Sequence, residues 1–321
     1  MSQKDGKHNL VIRQLLEKDL DEADRIMRLS FGTFTAQPDP RSYMDDAGVV
    51  IPRWRADPPS AFAAEMDGRL VGSNFVTRWG SFGKLGPLSI DPACWGRGFA
   101  GYLIAPTVEL LDIWGVQLAG LFTFPHSPKH IGIYQKFGFR PRWLTIIFGK
   151  EVDPNEHESL VWSVLSQLDD QQRRAALEAC RQLTNMIYDG LDLTSEIESI
   201  AAQRLGDTLL VWEEYELIGF AACHVGPATE AGSNACYVKF GAAAPGVKGR
   251  DNFKRILRSC EAFAKSAQAG RIELGVNSAC REAYEGILSA GFKILRTGIA
   301  MHRPDIPGFS KAGDFVIADM R

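Results

Sequence analysis

The chain repeats itself. Pro92, Gly96, Arg97, Gly138 and Phe139 return as Pro245, Gly249, Arg250, Gly291 and Phe292, every pair 153 residues apart. A repeat at domain length means one architecture built twice, and this constrains the fold more than any other feature of the 321 residues. Upstream, Asp67 to Gly72 (DGRLVG) is echoed by Glu214 to Gly219 (EYELIG) at an offset of 147, which requires a modest insertion between strands. The length suffices for two hydrophobic cores. We therefore expect two tandem domains, 1–152 and 153–321, joined through the polar stretch Glu151 to Glu158 with its Pro154.

Periodicity places the elements. Val11 to Leu16 reads as a strand, and Asp19 with Glu22 three positions on resembles a capping box opening a helix whose buried stripe is Leu20, Ala23, Ile26 and Met27. Residues 32–60, rich in Pro, Gly and Asp, form a long connection. Ala61 to Glu65, Leu70 to Trp79 and Leu85 to Ile90 read as an antiparallel meander, the first turn being an Asp-Gly pair. After a glycine-rich loop comes a helix to Trp114, which Pro106 should kink or split by removing an amide. A strand (Gln117 to Phe124), a helix (Lys129 to Lys136) and a closing strand (Trp143 to Phe148) follow. In the second copy Phe253, Ile256, Leu257, Cys260 and Phe263 fall at helical spacing and belong to a core. The fold class is α/β (mixed α+β), each lobe a mixed central sheet flanked by helices.

Composition narrows the function. The net charge of −3, with no basic block, argues against nucleic acid or an anionic membrane surface as a partner. The six cysteines are dispersed, without a CxxC pair or a histidine at ligand spacing, which argues against a zinc site and a disulfide framework. Neither a signal peptide nor about 18 uninterrupted apolar residues is found. A cytoplasmic enzyme fits, and an oligomer is compatible with it.

The stretch DPACWGRGFAGYL contains GxGxxG as Gly96, Gly98 and Gly101. A dinucleotide site needs a carboxylate roughly 20 residues beyond its glycines to take the ribose hydroxyls. From Ile113 to Lys150 there is no Asp or Glu, whereas Lys129, Lys136, Arg140, Arg142 and Lys150 are present. The loop also follows three strands instead of opening the fold. A different phosphate ligand is therefore expected on the amides of this helix N-terminus.

The loop Trp95, Gly96, Arg97, Gly98, Phe99, Ala100 after LSIDP resembles the acetyl-CoA diphosphate loop of the GNAT superfamily of N-acetyltransferases, Trp95 standing where the family has Arg or Gln. HSPKHIGIYQKFGF (His126 to Phe139) resembles a second signature, Tyr134 lying four residues before the Gly138-Phe139 pair. This resemblance covers Ala61 to Phe148, with Ile12-Arg13 and the next helix resembling the family's opening elements. It implies a sheet with two splayed parallel strands and acetyl-CoA as co-substrate. The cofactor would be held by Leu88, Ser89 and Ile90 along a strand and by Trp95, Gly96, Arg97, Gly98, Phe99, Ala100 and Gly101 in the loop. Backbone groups of Leu88 and Ile90 would pair with the pantetheine amides like an added strand.

For direct transfer to an amine, Tyr134 is the candidate proton donor to the departing thiolate; alternatively it packs beneath the Gly-Phe turn. The strand position six before Pro92, where family members often place a basic Glu, is Gly86. His126 is then the nearest titratable candidate for the base, with a solvated loop residue and a water chain as alternatives. The acceptor is a small-molecule or peptide amine, and Asp45, Asp46, Arg53 and Arg55 are residues able to line its pocket or a solvated surface. In the second copy Gly98 becomes Asp251, Ala100 becomes Phe253 and Tyr134 becomes Ile287, so that copy is expected to be degenerate. Two readings follow: an acetyl-CoA-dependent N-acetyltransferase, or a non-catalytic acyl-CoA or amine sensor on the same fold.

Overall fold

A computed structural model describes residues 9–153 and 162–321. Most of the expected linker, from Pro154 on, and the first eight residues lie outside the described residues. Through the first copy the elements are β1 (Leu10–Gln14), α1 (Leu20–Phe34), α2 (Val50–Ala56), β2 (Ala61–Met66), β3 (Arg69–Trp79), β4 (Phe82–Leu85), β5 (Ser89–Ile90), α3 (Phe99–Ile113), β6 (Leu118–Thr123), α4 (Pro128–Lys136) and β7 (Arg140–Glu151). Then come β8 (Ser163–Val164), α5 (Asp170–Ile187), α6 (Thr194–Gln203), β9 (Gly206–Glu213), β10 (Glu216–Gly226), β11 (Gly232–Ala243), α7 (Gly249–Ser266), β12 (Arg271–Asn277), α8 (Arg281–Ser289), β13 (Lys293–Arg303) and β14 (Val316–Ala318).

The repeat is structural. Adding 153 to the bounds of α4 gives those of α8, and adding it to the parallel pair Phe82↔Leu118 of β4 and β6 gives Ala235↔Arg271, the first pair of β11 and β12. The long helices α3 and α7 end at the same offset, at Ile113 and Ser266.

The residues group into two compact units, each considered separately. The first comprises Met1–Asp45, Val49–Thr77 and Leu85–Trp114. Here β1, β2, β3 and β5 pair antiparallel in that order, with Asn74 of β3 hydrogen-bonded to Thr107 of α3 at 3.3 Å. Leu20, Ala23 and Met27 of α1 pack with Val50, Ala61, Ala63 and Phe75. Asp19 does not cap α1: its carboxylate accepts from the Leu16 amide at 3.0 Å and from Arg13 at 2.6 Å, while Glu22 pairs with Arg25. A charge-assisted arginine contact is about twice as strong as a neutral one and competes well for that carboxylate. α3 is not split at Pro106; it runs unbroken from Phe99 to Ile113.

The second unit comprises Asp46–Gly48, Arg78–Lys84 and Gly115–Arg321. Its strands lie in the order β4, β6, β13, β7, β12, β11, β10, β9, β8. β7 and its counterpart β13 thus each pair with the strand preceding the other: β13 with β6 and β7 with β12, while β7 and β13 also pair with each other. One face carries a core of α7, α8 and strand residues such as Phe253, Ile256, Cys260 and Ile287. The other carries Leu183, Ile187, Ile197 and Ile200 of α5 and α6 against Trp79, Phe220 and Phe240. Burying each such side chain contributes about 1.5–3 kcal/mol. We propose 1–152 and 153–321 as the extents of the two copies; packing groups residues otherwise because β7 and β13 interleave.

Candidate active site

In the first unit the site begins at β5, the tail of the expected strand from Leu85 to Ile90. That strand is in fact two, β4 and β5, interrupted at Gly86, whose φ of +125° takes it out of the extended region. β5 lies so close to β3 that a Cβ on Gly72 would meet the Ser89 carbonyl and the Ile90 side chain at 2.6 Å. Asp91 donates its amide to the Val71 carbonyl at 2.9 Å, so by antiparallel alternation the N–H and C=O of Ile90 face away from β3. Ser89 turns its hydroxyl to Ser73, 3.3 Å away. Leu88 is half-buried against the cluster of Ile90, Cys94, Phe99 and Leu103.

The loop is shaped by Asp91 and two glycines. The Asp91 carboxylate accepts from the Ala93 amide at 2.9 Å, and Trp95 donates its own amide to Pro92. Gly96 and Gly98 then take φ of +80° and +79°, the left-handed region where any other residue is strained, and Gly98 is the N-cap of α3. Open space surrounds the Cβ position of each, so it is conformation that calls for glycine. Gly101 donates back to the Gly98 carbonyl at 3.1 Å. The amides of Gly96, Arg97, Gly98, Phe99 and Ala100 have no protein acceptor among the described residues. Phe99 is buried and anchors the turn, whereas Arg97 is exposed and its side chain reaches Met66. Trp95 donates its indole N–H to the Ile90 carbonyl at 2.8 Å. Cys94 beneath the loop is no competing nucleophile, because burial, and after it the Asp91 carboxylate, pushes its thiol up.

In the second unit, Ser127 caps α4 by accepting the His130 amide at 3.3 Å. Tyr134, seven residues on, is buried with its ring edge-on to Phe139 at 6.3 Å. Burial pushes its phenol above the ordinary value, so it is a protonated donor. His126 is exposed, its ring edge-on to Phe124 at 5.9 Å. Sequence reasoning missed His130, which is half-buried at 5.7 Å from the same Phe124 ring. The signal was available: His130 lies four residues before Tyr134, one turn away on the same face of α4. Burial, then the neighbouring Lys129 and His126, lowers its pKa and favours the neutral imidazole that accepts a proton.

Of the expected pocket residues, Arg53 is buried and donates to the Gly86 carbonyl at 2.8 Å, and the Asp45 carbonyl accepts from Arg28 at 2.7 Å. Asp46 accepts from the Ser233 amide at 2.9 Å and from its hydroxyl. Arg55 is exposed. Among the described residues no group of three or more His, Cys, Asp or Glu has the arrangement of a metal site, and no helix is long and apolar enough to cross a membrane.

A model of the acetyltransferase (GNAT) family matches residues 22–139. Residues 22–139 are a GNAT acetyltransferase domain. The match spans the glycine loop and ends on the Phe139 that packs on Tyr134, and acyl transfer is the chemistry of that family. Solved structures extend the GNAT likeness to nearly the whole chain. A protein from Pyrococcus horikoshii, described as an acetyltransferase, superposes with a TM-score of 0.70 at 14% identity over 97% of this chain and 95% of its own. A GCN5-related N-acetyltransferase from Sphaerobacter thermophilus gives 0.57 at 13% identity over 94% and 96%. Another from Anabaena variabilis gives 0.52 at 13% over 92% and 72%. At such identities the likeness is one of fold. No curated protein matches the sequence.

Proposed function

We propose that this protein is an N-acetyltransferase that moves an acetyl group from acetyl-CoA directly to a primary amine on a small molecule or peptide. The observation that carries the reading is the row of amides from Gly96 to Ala100, left without protein acceptors at the N-terminus of α3 in a GNAT domain. Such a row fits a diphosphate: the helix dipole favours its charge, and each charge-assisted bond contributes about 1.5–3 kcal/mol. Leu88 and the outward amide of Ile90 offer backbone groups to the pantetheine amides, with Ser89 between them; the Ile90 carbonyl is held by Trp95.

In the reaction the neutral amine attacks the thioester carbonyl. The tetrahedral adduct collapses with cleavage of the C–S bond, and the departing thiolate takes a proton from Tyr134, which recovers one from solvent. The proton lost by the amine goes to an imidazole, His126 or the more buried His130, or to water. Gly86 supplies no carboxylate, so this base is weak, which suits an α-amine near pKa 8, already about one-tenth neutral at pH 7.

A second reading, a sensor that binds acyl-CoA or an amine without turnover, is favoured by one observation: Trp95 spends its only side-chain donor on Ile90. The experiment is thermal shift and thiol release with acetyl-CoA against a panel of amines. Wild type is expected to be stabilised by acetyl-CoA and to release thiol with at least one amine. Gly98→Asp places a carboxylate near the diphosphate, at a cost on the order of 4 kcal/mol at an effective dielectric near 20. It should lose roughly a thousandfold in affinity, and equal binding by that variant would overturn the loop assignment. Binding without thiol release on any amine would favour the sensor.

A further inference from the structure

The repeat gives the second copy a slot corresponding to the one proposed for pantetheine, and the structure shows what fills it. At the offset of 153, Leu88, Ile90 and Gly96 become Gly241, Ala243 and Gly249. β11 and β12 pair in parallel from Ala235↔Arg271 to Val238↔Leu274; beyond this β11 pairs with β14 instead, Phe240↔Ala318, Gly241↔Ile317 and Ala242↔Val316. The Ala243 amide donates to the Phe315 carbonyl at 3.0 Å. The positions matching Leu88 and Ile90 are therefore the ones that β14 and Phe315 occupy.

Both ends of this segment are built in. The Phe315 ring lies on Gly249, the counterpart of Gly96, so closely that a Cβ there would come within 2.6 Å of it, and it packs on Phe253 at 5.6 Å. At the far end the Asp319 carboxylate accepts from the Tyr237 hydroxyl at 2.8 Å and pairs with Arg321 at 3.0 Å. A Cβ on Gly275 of β12 would strike Asp319 at 2.2 Å. Arg321 lies over the Tyr237 ring, 4.0 Å from its centre, and reaches Glu273 at 3.4 Å. Phe315 to Met320 are all buried.

We infer that residues 315–321 are a built-in occupant of the second copy's cofactor slot: an extended peptide takes the place of the pantetheine strand, Phe315 covers the turn where a diphosphate would lie, and this copy binds no acyl-CoA. The correspondence of the slots rests on the cofactor reading of the first copy; the occupancy rests on the pairing alone. With the slot filled from within, the second copy is locked as a scaffold, its cleft closed by main-chain hydrogen bonds of the kind that let an added peptide strand bind a sheet.

The test is hydrogen exchange on three full-sequence proteins (wild type, Ile317→Pro and the milder Asp319→Ala) and on a chain ending at Gly313. Losing the segment or its Ile317 amide should raise exchange by ~10²-fold or more in residues 238–243 and the first turn of α7. A peptide of residues 314–321 added at millimolar concentration should restore protection to the shortened chain. Asp319→Ala should loosen 315–320 without unfolding the unit. Unchanged protection in every variant would overturn the inference. With coenzyme A added to wild type, protection is expected at 95–101 and not at 240–252; protection at 240–252 would also overturn it. If coenzyme A protects neither region, the proposed function fails, and the variants still decide the occupancy.

Discussion

The indole N–H of Trp95 donates to the carbonyl of Ile90 at 2.8 Å, tying the glycine loop to the end of β5. In the loop's resemblance to the GNAT motif Trp95 takes the place of an Arg or Gln, and here its side chain braces the loop from within. Trp95→Phe keeps an aromatic ring and removes the donor. A net hydrogen bond of about 1 kcal/mol is lost, which for a chain of this size lowers Tm by roughly 2–4 °C. Affinity for acetyl-CoA, measured by calorimetry, is expected to hold or rise, because the Ile90 carbonyl becomes available to the ligand. A large loss of affinity would show that the indole itself grips the cofactor.

Tyr134→Phe separates packing from proton transfer. Phe keeps the edge-on contact with Phe139, so Tm should move little and acetyl-CoA should bind as before. The turnover number should fall by about 10²–10⁴, the usual contribution of general acid help. Burial raises the phenol above its ordinary value, and the donor form persists at every pH below the raised value. The wild-type rate should therefore show no alkaline limb from Tyr134 up to pH 10. Undiminished turnover in the variant would leave this tyrosine a packing residue.

A buried ion cluster controls the acid stability of the second unit. Lys239 lies 2.8 Å from Glu196 and 2.9 Å from Glu230, all three side chains being buried, and Trp79 donates to Glu196 at 3.0 Å. Burial is the largest influence on Glu196 and pushes its carboxyl up, but Lys239, then Lys84, outweigh it and bring the value from 4.5 to about 2. The folded value lies below the unfolded one, so the stabilisation is complete above about pH 4.5 and is lost as pH falls toward 2. Lys239→Met strands two carboxylates and should cost about 3–5 kcal/mol at pH 7, on the order of 10 °C in Tm. With their cation gone, the carboxyls titrate higher in the folded protein, so acid should narrow the deficit. Scans from pH 3 to pH 8 check this; a deficit independent of pH would refute it.

Asp314, next to the occupying segment, carries the opposite sign. Its Oδ2 has no hydrogen-bond partner among the described residues. Burial raises its carboxyl from 3.8 to about 6, Glu282 adding to the rise and Lys311 opposing it. A raised acid favours folding while protonated, and that advantage is lost as pH climbs through about 6. Asp314→Asn should therefore raise Tm at pH 8 and leave it unchanged at pH 4. Equal shifts at both pH values would show that charge is not the cause.

Much of this protein is written locally. The 153-residue offset, the turn glycines and the α1 stripe of Leu20, Ala23, Ile26 and Met27 depend on spacing and backbone preference, and neighbours in sequence settle them. The same holds for the amide row: two glycines with positive φ ahead of an apolar helix suffice to expose it. His130 was equally legible, four residues before Tyr134, but its half-burial against Phe124 follows from folding.

Only the tertiary structure decided which strands pair. β13 inserts between β6 and β7, and β14 closes the slot beside β11, because strand partners are chosen by long-range packing and hydrogen bonding that no local pattern encodes. Asp19 teaches the same on a smaller scale: its spacing to Glu22 spelled a cap, and the Arg13 guanidinium claimed its carboxylate. Sequence fixes what each segment can be; the competition among segments for the same buried partners, where an unpaired polar group is costly, fixes what each one touches.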